Sequence, residues 1–177
     1  YLFIKVLDEY YKDLRNQKIR LPKDITDGYF GNYKYQRDAI LRGIEILNQH
    51  NGVLISDVVG LGKSIIASAI ANNLGLRTIV ICPPHLESQW KDYLNIFQTP
   101  GSKIYTSGRI AEALEDSSPG QKLIIVDEVH KFRNDETKDY LNLYQLCHGT
   151  NGGEPNKVLL LSATPFNNKP QDTFSLI

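Results

Sequence analysis

The sequence predicts an α/β domain built on a mainly parallel sheet with helices on both faces. Three observations carry that expectation. Short apolar runs rich in β-branched residues alternate with longer stretches of helical periodicity. A Gly-Leu-Gly-Lys-Ser segment, Gly60 to Ser64, lies between one such run and the helix after it, and another run ends in the adjacent carboxylates Asp127 and Glu128. Runs apolar on both faces suit strands covered from both sides, and their alternation with helices implies right-handed βαβ units. In such sheets ligands sit beyond the carboxyl ends of the strands, which is where both polar segments fall.

Residues 1 to about 27 are rich in tyrosine and charge, and the apolar positions Leu2, Ile4, Val6, Tyr10 and Leu14 suit a short amphipathic helix with Pro22 near its end. This stretch reads as an arm or linker from another domain, leaving residues 28–177 as the globular unit. Tyr35 to Leu47 places Ala39, Ile40, Ile44 and Leu47 on one helical face. Strand-like Val53–Ile55 precedes a helix from Ile65 to Leu74, and Thr78–Cys82 precedes one from Leu86 to Phe97. Lys103–Tyr105 leads to Ile110–Leu114, Leu123–Val126 leads to Thr137–Cys147, and Val158–Leu161 is the last apolar run.

Composition narrows the function classes. Lys plus Arg number 20 and Asp plus Glu number 20, so the 177-residue chain is not a polycation that holds nucleic acid by bulk attraction, although a local basic groove is compatible with it. Hydrophobic residues at 41% and charged residues at 23% are ordinary globular usage, and a core of this size needs no disulfide or metal staple. Cys82 and Cys147 form neither a metal pattern nor a disulfide framework, which fits a reduced intracellular setting. No stretch is long and apolar enough for a membrane helix, so no membrane partner is expected, and the N-terminal charges come too early for a signal peptide. The chain has no methionine, initiator included, and reads as a piece of something longer.

Asp57-Val58-Val59-Gly60-Leu61-Gly62-Lys63-Ser64 carries the strongest chemistry. Wrapping a polyphosphate requires inward-facing backbone N–H groups, which Gly60 and Gly62 permit through positive φ and close approach, while the next helix presents its positive end. Lys63 is placed to reach the β- and γ-phosphates, and the Ser64 hydroxyl suits Mg²⁺. Asp57 stands where glycine is usual, and Asp tolerates left-handed backbone. The alternative is an accidental glycine turn at a helix start. At the end of Leu123–Val126, Asp127 suits a magnesium ligand acting through water and Glu128 suits orientation or deprotonation of the attacking water. Taken alone, that segment is also what a strand entering a polar loop looks like. Ser162-Ala163-Thr164, before Pro165, can bond the Asp127–His130 segment and sense phosphate, or can be a helix N-cap or turn.

In this order the three motifs resemble the first RecA-like lobe of helicase superfamily 2, and within it the SWI/SNF-related DNA translocases. That family shows Asp-Glu-x-Gly-Leu-Gly-Lys-Thr, Asp-Glu-x-His and Ser-Ala-Thr-Pro, matched here by Asp57–Ser64, Asp127–His130 and Ser162–Pro165 followed by Phe166-Asn167-Asn168. Val58 replaces an acidic residue and Ser64 a threonine, with no loss of a required atom type; the form with Val59 resembles a bacterial branch, implying a bacterial cytoplasm or nucleoid. The resemblance covers residues 35 to 168.

The resemblance implies ATP and Mg²⁺ as cofactors, nucleic acid as partner with duplex DNA favoured, and a second RecA-like lobe that completes the hydrolytic site. It implies that Gln36 reads the adenine edge, with Tyr33 or Tyr35 stacking on the base. Pro83, Pro84 and His85, and then Thr106 and Ser107, would touch the nucleic-acid backbone. His130 would couple the nucleotide pocket to Ser162–Thr164. Trp90 is expected in the core rather than on a base, and Lys103, Arg109, Lys131 and Arg133 are each better read as solvated charges than as part of the track. The rival readings are an RNA-directed or restriction-type helicase lobe, and a nucleotide-gated scaffold without turnover.

Overall fold

The computed structural model describes residues 19–56, 62–116, 118–132, 137–151 and 153–163. In chain order the elements are α1 (Pro22–Ile25), α2 (Lys34–His50), β1 (Gly52–Ser56), α3 (Lys63–Leu74), β2 (Arg77–Cys82), α4 (Glu87–Ile96), β3 (Lys103–Thr106), α5 (Ile110–Leu114) and β4 (Lys122–Val126). There follow α6 (Lys138–Cys147), β5 (Thr150–Asn151), β6 (Glu154–Pro155) and β7 (Lys157–Ser162). Single 3₁₀ turns at Pro84–Leu86, Ser107–Arg109 and Val129–Lys131 follow β2, β3 and β4.

β1, β7, β4, β2 and β3 lie side by side in that order, all parallel, while β5 and β6 form a separate antiparallel hairpin. Alternate residues of each strand feed opposite layers. Val53, Val80, Cys82, Leu123, Ile125, Leu159 and Leu161 pack with α2, α3 and α4. Ile79, Ile81, Ile124, Val126, Val158 and Leu160 pack with α5 and α6. Each fully buried aliphatic side chain contributes about 1.5–3 kcal/mol of transfer free energy, so covering both faces is what makes these apolar runs tolerable. The α/β fold expected from the sequence is the one observed.

Helix starts fall within two residues of the expected places, for physical reasons. α6 begins after Thr137, whose hydroxyl oxygen accepts a hydrogen bond from the Tyr140 N–H. Pro83 and Pro84 favour a 3₁₀ turn before α4, so that helix starts at Glu87.

Pro22 behaves differently from the expectation of a helix end. It occupies the first position of α1, where its missing N–H costs nothing. The apolar positions Leu2 to Leu14 lie outside the described residues. Ile25 is fully buried in the core with α2 and α3, and the Arg20 N–H and C=O both bond the Asn73 side-chain amide, at 2.8 and 2.9 Å. The packed body therefore takes in Ile19–Asp27, residues that composition alone assigns to the arm.

Candidate functional site

The carboxyl ends of the strands converge on one cleft of about 370 Å³, lined by Gly62, Lys63 and Ser64 from the start of α3, by Asp127 and Glu128 after β4, and by Ala163 after β7. Leu86, Gln89 and Tyr93 close it from the α4 side. Asp57, Val58, Val59, Gly60 and Leu61 lie outside the described residues.

Gly62 caps α3 in the left-handed region, with φ +77°. A Cβ there would stand 2.8 Å from Gln36 Nε2, so the glycine is required both by its backbone and by the amide that lies against it. Gln36 is buried on the first turn of α2, and its Oε1 accepts no hydrogen bond among the described residues. A buried carbonyl oxygen left this way costs roughly 1–3 kcal/mol, which marks it as a position awaiting a donor. Tyr33 and Tyr35 are exposed and stack on each other, centroids 5.9 Å apart.

Asp127 follows β4 with its N–H bonded to the Ile81 carbonyl at 2.9 Å, which carries it past the edge of the sheet. Its carboxylate is gripped at both oxygens. The Trp90 indole Nε1–H donates to Oδ2 at 2.9 Å, and the Glu128 N–H donates to Oδ1 at 2.8 Å. Burial pushes the Asp127 carboxyl above the ordinary carboxylate range, against the opposing pull of the Trp90 and Glu128 hydrogen bonds and the Lys63 charge.

Glu128 sits in the left-handed region at φ 49°, ψ 45°, a conformation that costs a non-glycine residue on the order of 1 kcal/mol. That turn lifts its carboxylate to the cleft. Lys131, three residues on, pairs with it at 2.5 Å, and this hydrogen bond is the chief reason the Glu128 carboxyl lies below its usual value.

His130 lies on the 3₁₀ turn after Glu128, and β7 packs against that turn. Ser162 is the buried last residue of β7, paired in register with Ser56, and Ala163 reaches the cleft; Thr164 lies outside the described residues. The segments that carry the three motifs are thus brought together by β7 lying between β1 and β4.

Pro83–His85 and Thr106–Ser107 are also neighbours, because Cys82 pairs with Thr106 at the ends of β2 and β3. Pro83 is buried, while Pro84 and His85 are exposed and Thr106 and Ser107 half-buried. The Leu86 and Glu87 N–H groups already bond the Pro83 and Pro84 carbonyls, so neither is left for a phosphate. Lys103 lies at the opposite end of its strand, against Asp116, and Arg109 pairs with Glu112. Arg133 is outside the described residues.

Sequence reasoning missed Leu86, Gln89 and Tyr93 as cleft-lining residues and missed the bond from Trp90 to Asp127. The spacing of Leu86, Gln89, Trp90 and Tyr93 on one side of a helix was the available signal. A larger open groove of about 610 Å³ lies between the end of α4 and the start of β3, lined by Lys91, Leu94, Asn95, Thr99, Pro100 and others, and it carries no carboxylate. Among the described residues no cluster of His, Cys, Asp or Glu could hold a metal by itself, and no helix is long and apolar enough to cross a membrane.

A parallel sheet with a glycine-capped helix start facing a strand-end Asp-Glu pair defines the RecA-like class of P-loop nucleotide-binding domains. Comparison with known proteins agrees. The model of the ATPase family associated with various cellular activities (AAA) matches residues 53–173, more than half of the chain, and the chain belongs to that family. It is 28% identical over 156 residues to the ATP-dependent helicase YqhH of Bacillus subtilis (strain 168), covering 75% of this chain and 27% of that protein. It is 29% identical over 102 residues, 54% of this chain and 18% of the other, to L364 of Acanthamoeba polyphaga mimivirus, whose name assigns it as an ATP-dependent RNA helicase. With the SWI/SNF-related matrix-associated actin-dependent regulator of chromatin subfamily A-like protein 1 homolog of Caenorhabditis elegans it shares 23% identity over 164 residues, 82% of this chain and 23% of that one. The fold matches the Sulfolobus solfataricus SWI2/SNF2 ATPase core in complex with dsDNA at a TM-score of 0.70 and 19% identity, over 90% of this chain and 37% of that one. The resemblance read from the motifs is therefore sustained, and the chain spans about a quarter of the length of the relatives it matches most extensively.

Proposed function

We propose that this chain is the first RecA-like lobe of a DNA-dependent ATPase of helicase superfamily 2, which couples ATP hydrolysis to movement on, or remodelling of, DNA. The observation that carries the reading is the cleft in which Lys63, Ser64, Asp127 and Glu128 meet. The N–H groups at the start of α3 and the Lys63 ammonium hold the β- and γ-phosphates. Gln36, with its buried oxygen in need of a donor, reads the adenine amino group, and the exposed pair Tyr33 and Tyr35 flanks the base.

Hard oxygen donors suit Mg²⁺, and the residues fit it: the Ser64 hydroxyl lines the cleft opposite an Asp127 carboxylate whose oxygens are already fixed by protein donors. When bound, the ion would neutralise charge on the phosphate oxygens. Glu128 would orient the attacking water and take its proton, once its carboxylate leaves Lys131. His130 and Ser162–Thr164 would pass the state of the cleft to the rest of the protein through the contact between β7 and the Val129–Lys131 turn.

Exposed Pro84 and His85, with half-buried Thr106 and Ser107 beside them, form an edge suited to a phosphate backbone, a contact that positions without reading sequence. Pro83 supports that edge from beneath. The DNA complex of the Sulfolobus relative favours duplex DNA as the track, and a second lobe in the full-length protein would complete the site. An intracellular setting, in a bacterial cytoplasm or nucleoid, suits the two free buried cysteines.

The mimivirus relative keeps one rival in play, an RNA-directed lobe. Steady-state ATPase of the full-length protein with duplex DNA or with RNA separates the two; stimulation by duplex DNA is expected, and stimulation by RNA alone would reassign the substrate. On the isolated chain, ATP turnover is expected to be slow or absent, and a nucleic-acid-stimulated rate of about 1 per second or more, typical of complete enzymes, would overturn the need for a second lobe.

A further inference from the structure

We infer that Trp90 is a positioning residue for the metal-binding carboxylate, an inference that rests on the assignment of Asp127 to Mg²⁺ made above. Trp90 is 1% exposed on α4 and is the single tryptophan of the chain. A buried indole needs a hydrogen-bond acceptor, and many acceptors would serve. Here the acceptor is a side-chain carboxylate on a different element, 37 residues away in sequence and at the wall of the cleft.

The geometry leaves Asp127 little freedom. With Oδ2 held by Trp90 and Oδ1 by the Glu128 N–H, rotation about the Cβ–Cγ bond would break two hydrogen bonds at once. The remaining lone pairs are then presented to the cleft in one orientation, which is what a hydrated cation with strict octahedral demands requires. Partners of this kind behind a ligand typically change metal affinity by 10- to 100-fold when removed. Tyr93 packs edge-on against the Trp90 ring, centroids 6.3 Å apart, and fixes the indole in turn. The sequence motifs that name Asp127 say nothing of this contact, because it joins two elements through space.

Trp90→Phe keeps an aromatic ring at this position and deletes the donor. ATP binding to the wild-type and W90F chains should be measured by equilibrium dialysis, once with Mg²⁺ and once with EDTA. The wild type is expected to bind more tightly with Mg²⁺. In W90F that gain should fall about tenfold while the affinity in EDTA stays within about twofold. An unchanged gain in W90F, or an equal loss under both conditions, would overturn the positioning role. A wild type that shows no Mg²⁺-dependent gain would instead overturn the assignment of Asp127 to the metal.

Should W90F fail to fold, the wild-type chain still answers. Emission from Trp90, observed alone, is expected to shift when Mg²⁺ is added to the ATP-bound chain and not when it is added to the D127N variant. Emission blind to Mg²⁺ would overturn the inference.

Discussion

Arg77, Lys103, Lys122 and Lys157 each open a strand of the central sheet, and at that end every one of them is already engaged. The first three converge on Asp116, at 3.5, 3.2 and 3.7 Å, and the Asp116 and Lys122 side chains are almost fully buried. Lys157 Nζ donates to the Leu47 carbonyl and to Asn51 Oδ1 at 2.7 and 3.2 Å. At the other end, past the strand termini, Lys63, Asp127 and Glu128 line one cleft, with Glu128 in left-handed backbone, and beside Gly62 lies the buried Gln36 amide, whose oxygen finds no donor among the described residues. Charges at the strand starts are satisfied within the fold, three by Asp116 and one by neutral acceptors. Those at the strand ends are engaged as well but line a cleft, and the fold bears the cost of holding Glu128 in left-handed backbone there.

The carboxylates Asp116 and Asp127 show the difference in the sign of their shifts. Burial raises both, but at Asp116 hydrogen bonding from Ser118 and the charges of Lys103 and Lys122 outweigh it and hold the group well below the ordinary range. At Asp127 burial prevails. One carboxylate stabilises the fold in its charged form, while burial works against the charged form of the other.

The largest effect expected from this contrast is on turnover. Glu128→Gln in the full-length protein should lower ATP hydrolysis by at least about 100-fold, the scale of losing a general base, while nucleotide binding and thermal stability persist. Retained turnover would show that Glu128 is not the general base.

Asp116→Asn should do the reverse. It leaves Lys122 buried without its counter-ion and should cost about 3 kcal/mol in chemical denaturation, with Mg·ATP affinity unchanged. Because the folded pKa of Asp116 is depressed, its contribution is present above the unfolded carboxylate pKa of about 3.9 and is lost as pH falls toward the folded value. The stability difference between wild type and D116N should thus be constant at neutral pH and shrink in acid below about pH 4. Asp127→Asn removes a charge that burial disfavours but sets an amide NH₂ against the Trp90 or Glu128 N–H donor, so its loss of stability at neutral pH is expected to be smaller than that of D116N.

Gly62→Ala should cost about 1–2 kcal/mol, from the positive φ alone. The added methyl would also press on the Gln36 amide, so ATP affinity should fall with stability. The smallest effect belongs to Thr137→Ala, which removes the α6 cap at the edge of the other helix layer and should cost about 1 kcal/mol in thermal or chemical denaturation, without touching nucleotide affinity.

The alternation of apolar runs and helices was legible because each element declares its own period, and the cleft residues were legible because phosphate chemistry demands a particular local string. Strand order was not. β7 slots between β1 and β4 although it comes last, and parallel pairing of that kind leaves no local mark at Val158–Leu161. Trp90 was readable as a core residue, yet its polar contact depends on where α4 crosses β4. Asp116 looked like any loop aspartate, since its partners lie 39, 13 and 6 residues away in sequence. Pro22 was ambiguous for a local reason: proline both follows helices and opens them.

The cleft at Lys63 and Asp127 and the larger groove at Lys91 and Thr99 offer the most direct contest. Crystals of the chain grown with Mg²⁺ and a non-hydrolysable ATP analogue should show the triphosphate against the start of α3, with Lys63 and Asp127 on either side of it. A triphosphate bound in the groove beside Lys91, with the first cleft empty, would contradict the assignment.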